Sequence, residues 1–199
     1  MNAHTDEQEL KDRLSLIENM ISQGRRRTES WGWIFVLWGV AYYVAIAWSA
    51  WGGPRLAWPV TMIAAGALTG IVASRTARNH PETTLGRSLG SVWTAMGISL
   101  FLLMMSLAIS GKLEAQASVA IVSAMLGMAN AASSIILKWK MQFACAAMWW
   151  ATTVVACFGS ARQSAITFLV AIFLCQIAFG IFGMIKEAQA RKLTGSAHA

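Results

Sequence analysis

Charge is scarce in this chain. Asp, Glu, Lys and Arg make up 13% of the 199 residues, about half the share of a soluble globular domain. A surface so poor in charge is suited to a surrounding other than water. Proline is rare as well, with three residues, so few helices are broken from within. Cysteine is limited to Cys145, Cys157 and Cys175, all in apolar segments and none in a CxxC pair. That spacing excludes a disulfide framework and a zinc knuckle and leaves three small packing residues. The three histidines, His4, His80 and His198, stand outside the long apolar runs. No phosphate-binding loop, dinucleotide fingerprint or zinc motif occurs. No cofactor, metal or enzymatic activity is therefore expected.

What the chain has instead is length without charge. Six segments, Trp31–Trp51, Leu56–Ser74, Ser88–Ser110, Ala115–Leu137, Met141–Phe158 and Ser164–Ile185, contain no Asp, Glu, Lys, Arg or His. At about 1.5 Å per residue each helix reaches roughly 27–35 Å, the thickness of a bilayer's hydrocarbon core. A soluble bundle fails as an alternative, because six helices apolar on every face leave nothing to meet water. The expected fold is all-α: a polytopic membrane bundle of six transmembrane helices in three hairpins, preceded by a short cytoplasmic amphipathic helix. Residues 1–30 hold that helix and a basic juxtamembrane segment, 31–185 the membrane domain, and 186–199 a cytoplasmic tail. The first 30 residues are too charged for a cleavable leader, so the first span is expected to direct insertion.

Basic residues divide unevenly about these spans. Thirteen, among them Arg25, Arg26, Arg27, Arg75, Lys138 and Lys186, flank one side, and only Arg55, Lys112 and Arg162 the other. Because Lys and Arg near span ends stay in the cytoplasm, both termini are expected there, in a plasma (cytoplasmic) membrane. The stretch "GRRRTESWGWIFVLWG" at 24–39 is where the chain passes from cytoplasm into lipid. Its arginines meet anionic headgroups, and Trp31 and Trp33 sit at headgroup depth. Trp48, Trp51 and Trp58 are expected to repeat the aromatic belt on the far side, and Trp139 on the near side.

Residues 5–23 read as a separate amphipathic helix. Thr5 and Gln8 form a capping box, Leu10, Leu14, Ile17 and Ile21 share one face with Leu16 and Met20 beside it, and Gly24 ends it. Its acids (Asp6, Glu7, Glu9, Asp12, Glu18) outnumber its bases (Lys11, Arg13), which disfavours binding to anionic lipid. Two partners remain: the basic ends of its own bundle, or another protein, either a second copy or a cytoplasmic partner. Membrane lipid is the expected partner of the spans, and no nucleic acid is expected.

No ionisable group lies within the spans to relay protons or ligate haem. Helix packing remains. Gly66 with Gly70 and Gly86 with Gly90 form GxxxG pairs, and Ser123, Gly127, Asn130 and Ser134 follow one face of the fourth span. Such stripes let helices approach within one chain or between two copies. Asn130 and Gln176 either bond a neighbouring helix or line a small polar cavity. Trp38, Tyr42, Trp149 and Trp150 are candidates for an aromatic lining beside them. Two functions follow: a non-enzymatic structural or regulatory partner acting through its cytoplasmic helix, or a small transporter or channel component with a site between hairpins.

Overall fold

A computed structural model describes residues 3–52, 57–79 and 84–196. Eight α-helical segments follow in order: α1 (Ala3–Ser30), α2 (Gly32–Ala50), α3 (Ala57–Asn79), α4 (Thr84–Ile109), α5 (Ala115–Leu137), α6 (Lys140–Phe158), α7 (Ala161–Ile172) and α8 (Phe179–Ser196). A π-helical segment, Phe173–Ala178, joins α7 to α8. No strand occurs among the described residues. Six helices, counting α7 through α8 as one rod, are long and apolar enough to cross a membrane. The chain is a multi-pass membrane protein with an all-helical bundle.

The first helix departs from expectation in length. α1 runs unbroken from Ala3 to Ser30, so it starts before Thr5 and passes through Gly24. A glycine inside a helix costs about 1 kcal/mol, and Gln23 and the arginines after it are good helix formers with no proline among them. The helix that was expected to be short is therefore about 42 Å long at 1.5 Å per residue.

The three hairpins are not equivalent. α5 and α6 form the most extensive helix pair, α7 packs on both, and α2 lies along α7, the π segment and α8. Among the described residues, α3 packs on α2, and α4 on α5 and α1, with Trp93 of α4 also meeting Phe35 of α2 edge to face at 5.4 Å. Ile63, Leu68 and Ile71 on α3 and Ile98, Phe101 and Leu102 on α4 are exposed, as lipid-facing side chains are.

Polar groups tie the helices at their ends. Gln116 of α5 donates through Nε2 to the carbonyls of Ala156 and Gly159, each at 2.8 Å. It thereby satisfies C-terminal acceptors of α6 that have no intrahelical partner. Ser160 and Gln163 form a capping box at the start of α7. The "FGSA" turn at 158–161 is thus also a helix start, signalled by Ser160 three residues before Gln163. Lys138 takes a left-handed conformation at φ 48°. Its N–H and that of Trp139 donate to the carbonyls of Ile135 and Ser134, closing α5 and turning the chain into α6.

Trp139 does not join the aromatic belt. It is buried, with its ring 5.1 Å from Phe179. As the extended residue preceding α6, it turns its indole back under the bundle. Trp51 behaves as expected of a belt residue and is 88% exposed at the end of α2.

Candidate functional site

The bundle interior holds several buried polar side chains. Asn130 is fully buried on α5. Its Nδ2 donates to the Leu126 carbonyl of its own helix at 2.8 Å, and its Oδ1 has no protein partner. Gln176 lies in the π segment and is buried. Gly39 of α2 packs directly against it: a Cβ on Gly39 would stand 3.0 Å from the Gln176 Cβ and 2.8 Å from Ile177 Cγ1. Tyr43, also on α2, donates its hydroxyl to the Leu169 carbonyl at 2.9 Å, one turn before the π segment.

The four aromatic candidates separate into two environments. Tyr42 and Trp149 are buried, and each meets Phe168 at a centroid distance of 6.0 Å. Phe168 thus links the two rings. Trp38 packs partly buried against the same core. Trp150 points outward, is 41% exposed, and meets Phe143 at 6.4 Å. Adjacent helical residues differ by about 100° in direction, so Trp149 turns into the bundle while Trp150 turns toward its surface. Among the described residues, Tyr42, Trp149 and Phe168 belong to one buried cluster.

Gln142 of α6 was not singled out by sequence. It is fully buried, and neither its Oε1 nor its Nε2 has a hydrogen-bond partner in the chain. As the third residue of a helix, two positions after the charged Lys140, it resembles an ordinary interfacial glutamine in sequence. An unpaired buried amide is costly, about 1–3 kcal/mol. Gln142→Leu is therefore expected to raise the thermal stability of the detergent-solubilised protein, by about 1 kcal/mol. A loss of stability would mean that the amide is paired in the membrane by something outside the chain.

The glycines divide just as sharply. A Cβ on Gly180 of α8 would lie 2.6 Å from the Gly32 carbonyl oxygen and 2.8 Å from Val36 Cγ2, and one on Gly32 would collide with the Gly180 carbonyl. α2 and α8 thus cross backbone to backbone at this pair. Gly127 lies under the Trp150 ring, with Nε1 2.6 Å from where a Cβ would stand. Gly66, Gly70 and Gly90 have nothing within 4 Å of a Cβ, so a side chain there would meet open space. Gly86 and Gly90 line an open depression with Trp31 and Thr94. Ser123 is fully buried on α5, with no protein partner for its hydroxyl.

Another exposed apolar surface among the described residues lies on α1. Every described side chain of α1 from Gln8 to Met20 is exposed. Leu10 is 60% exposed, Leu14 53% and Ile17 52%, a degree normal for a polar surface residue and costly for leucine in water. At these three positions the stripe is left largely uncovered by its own bundle. α1 as a helix also approaches α8, α4, α5 and α2. Arg13 pairs with Glu9 on the solvent side at 2.6 Å, an i, i+4 pair that supports helicity modestly.

Comparison with models of protein families finds no match, and no curated protein or solved structure shows significant similarity to the chain.

Proposed function

We propose that this chain is a non-enzymatic membrane-anchored docking protein, in which six spans hold α1 at the membrane surface and the apolar stripe of α1 takes up a protein. One observation carries the reading: Leu10, Leu14 and Ile17 lie on one face of a continuous helix and are each more than half exposed. Apolar side chains aligned at helical spacing and rimmed by charge form a helix-in-groove or helix-pairing surface. Lipid is the weaker occupant, because the acids of this segment repel an anionic headgroup layer.

Changing Leu14 and Ile17 together to Asp tests this. The protein should still insert, while the complex it forms in mild detergent should shrink on native gels. An unchanged complex size would remove the docking role.

The excess of basic residues beside α1 supports a cytoplasmic location for α1 and the tail, in a plasma membrane. On that reading, Lys112→Cys and Arg162→Cys are labelled by an impermeant maleimide from outside intact cells, and Lys140→Cys is not. Labelling of Lys140→Cys from outside would reverse the orientation. A transporter or channel component with a site between hairpins draws support from the unpaired amides of Asn130 and Gln142. The rings of Tyr42, Phe168 and Trp149 occupy the interior such a site needs, so docking is the reading the geometry favours.

A further inference from the structure

We infer that the occupant of the α1 stripe is a second copy of this chain, paired with it as a short parallel coiled coil at the membrane surface. This rests on the docking reading above and commits it to one partner.

The spacing of the stripe carries the first part. Leu10, Leu14, Ile17 and Ile21 are separated by four, three and four residues, the alternation of d and a positions in a heptad. Within the bundle the apolar residues show no such restriction to one seam, because lipid accepts them on every side. In that register Glu7 takes the preceding a position and Gly24 the following d position, so the apolar seam opens at Leu10 and closes at Ile21. Glu9 and Asp12 fall at c and f, on the outer face, where the excess acid of the segment does least harm to a second strand.

The charges beside the seam carry the second part. Arg13 takes a g position and Glu18 the e position five residues on, and both are exposed. In a parallel pair, g of one strand faces that following e of the other, so Arg13 of each copy meets Glu18 of its partner twice over, once on each side. On the sequence, Asp6 and Lys11 stand in the same relation one heptad earlier. Two opposite-sign pairs out of two is the pattern that specifies self-pairing. Residues five apart on one helix differ by about 140° in direction, so Arg13 and Glu18 do not serve each other within a single chain. Arg13 instead reaches Glu9 there.

The membrane supplies the third part. Copies inserted in one orientation present α1 on the same side of the bilayer, and of the pairings open to them there the g-to-e charges select the parallel one. A seam of this length is marginal between free peptides in water. Confinement to one bilayer raises the effective concentration of the second strand and makes so short a coil sufficient.

Single cysteines in the full-length protein test this, in native membranes and with the lipid-exposed Cys157 changed to Ala. In a parallel pair, the same a or d residue of the two copies lies within disulfide reach. Leu14→Cys and Ile17→Cys should therefore form covalent dimers under mild oxidant, severalfold more than Ser15→Cys and Asn19→Cys on the outer face. Arg13→Glu should lower the Leu14→Cys dimer yield severalfold, and adding Glu18→Arg should restore it. Restoration can come only from pairing between chains. Equal yields at all four positions, no dimer at 14 and 17, or failure of the double reversal to restore yield would each overturn the second copy as occupant. If cysteines at 14 and 17 are shielded from maleimide yet form no dimer, the second copy fails and docking of another protein stands. If they are freely labelled and form no dimer, both fail.

Discussion

Gly180→Leu is expected to destabilise the bundle by about 3 kcal/mol or more, at the upper end of overpacking costs. The obstacle to a side chain there is backbone. The Gly32 carbonyl oxygen stands 2.6 Å from the position of the new Cβ, and a carbonyl in a helix cannot rotate aside as a side chain would. α2 and α8 must separate, which also withdraws Phe35 from Phe179, now 5.2 Å apart edge to face, and Gly39 from Gln176. In lipid, helix association has little hydrophobic drive and depends on close contact, so the separation is not offset by burial elsewhere. Gly66→Leu and Gly90→Leu, with open space beside them, should change stability by less than about 0.5 kcal/mol. Unfolding of the three variants in detergent, monitored by circular dichroism, checks the contrast. Equal losses at Gly180 and Gly66 would contradict it.

Trp149→Ala should cost about 3 kcal/mol, the lower end for loss of a fully buried aromatic. Trp149 has no exposed surface. Its ring meets Phe168, which in turn meets Tyr42, so one truncation loosens α6, α7 and α2 together. The lower end applies because lipid competes for apolar surface and leaves the cavity term dominant. Trp150→Ala, one residue on, removes a ring that is 41% exposed and should cost clearly less. The same unfolding experiment reads both, and a larger loss at Trp150 would mean that the two rings exchange places in the membrane.

These contrasts mark how far the sequence could be read. The spans were legible because hydrocarbon demands about 20 apolar residues and tolerates no charge, a signal that does not depend on where neighbouring helices lie. Which face of a span turns inward was not legible. In a soluble helix, polarity marks the outside; here both sides are apolar, so Gly66 and Gly180 look alike until α2 is placed against α8. Trp149 and Trp150 are indistinguishable by type and differ only by a rotation about the helix axis. Gln142 escaped notice because its neighbours Lys140 and Met141 suggest a solvent rim; both are indeed exposed, and Gln142 turns inward because it shares the buried face of α6 with Cys145, Ala146 and Trp149. The amphipathic stripe of α1 was legible because water, unlike lipid, imposes one-sidedness. Its end at Gly24 was misread because one glycine is too weak a stop against strong helix formers on either side.

The central claim is that the stripe of α1 is covered by a protein in the native membrane, and a cysteine-reactivity profile along α1 tests it most directly. Each position from Leu10 to Met20 is changed singly to Cys, and its rate of labelling by a soluble maleimide is compared in native membranes and after denaturation. The account predicts slow labelling at Leu10, Leu14 and Ile17 and fast labelling at Asp12, Ser15 and Asn19, a rise and fall with the 3.5-residue period of a covered helix face. Uniformly fast labelling at all positions would show α1 standing free in water and would contradict the account.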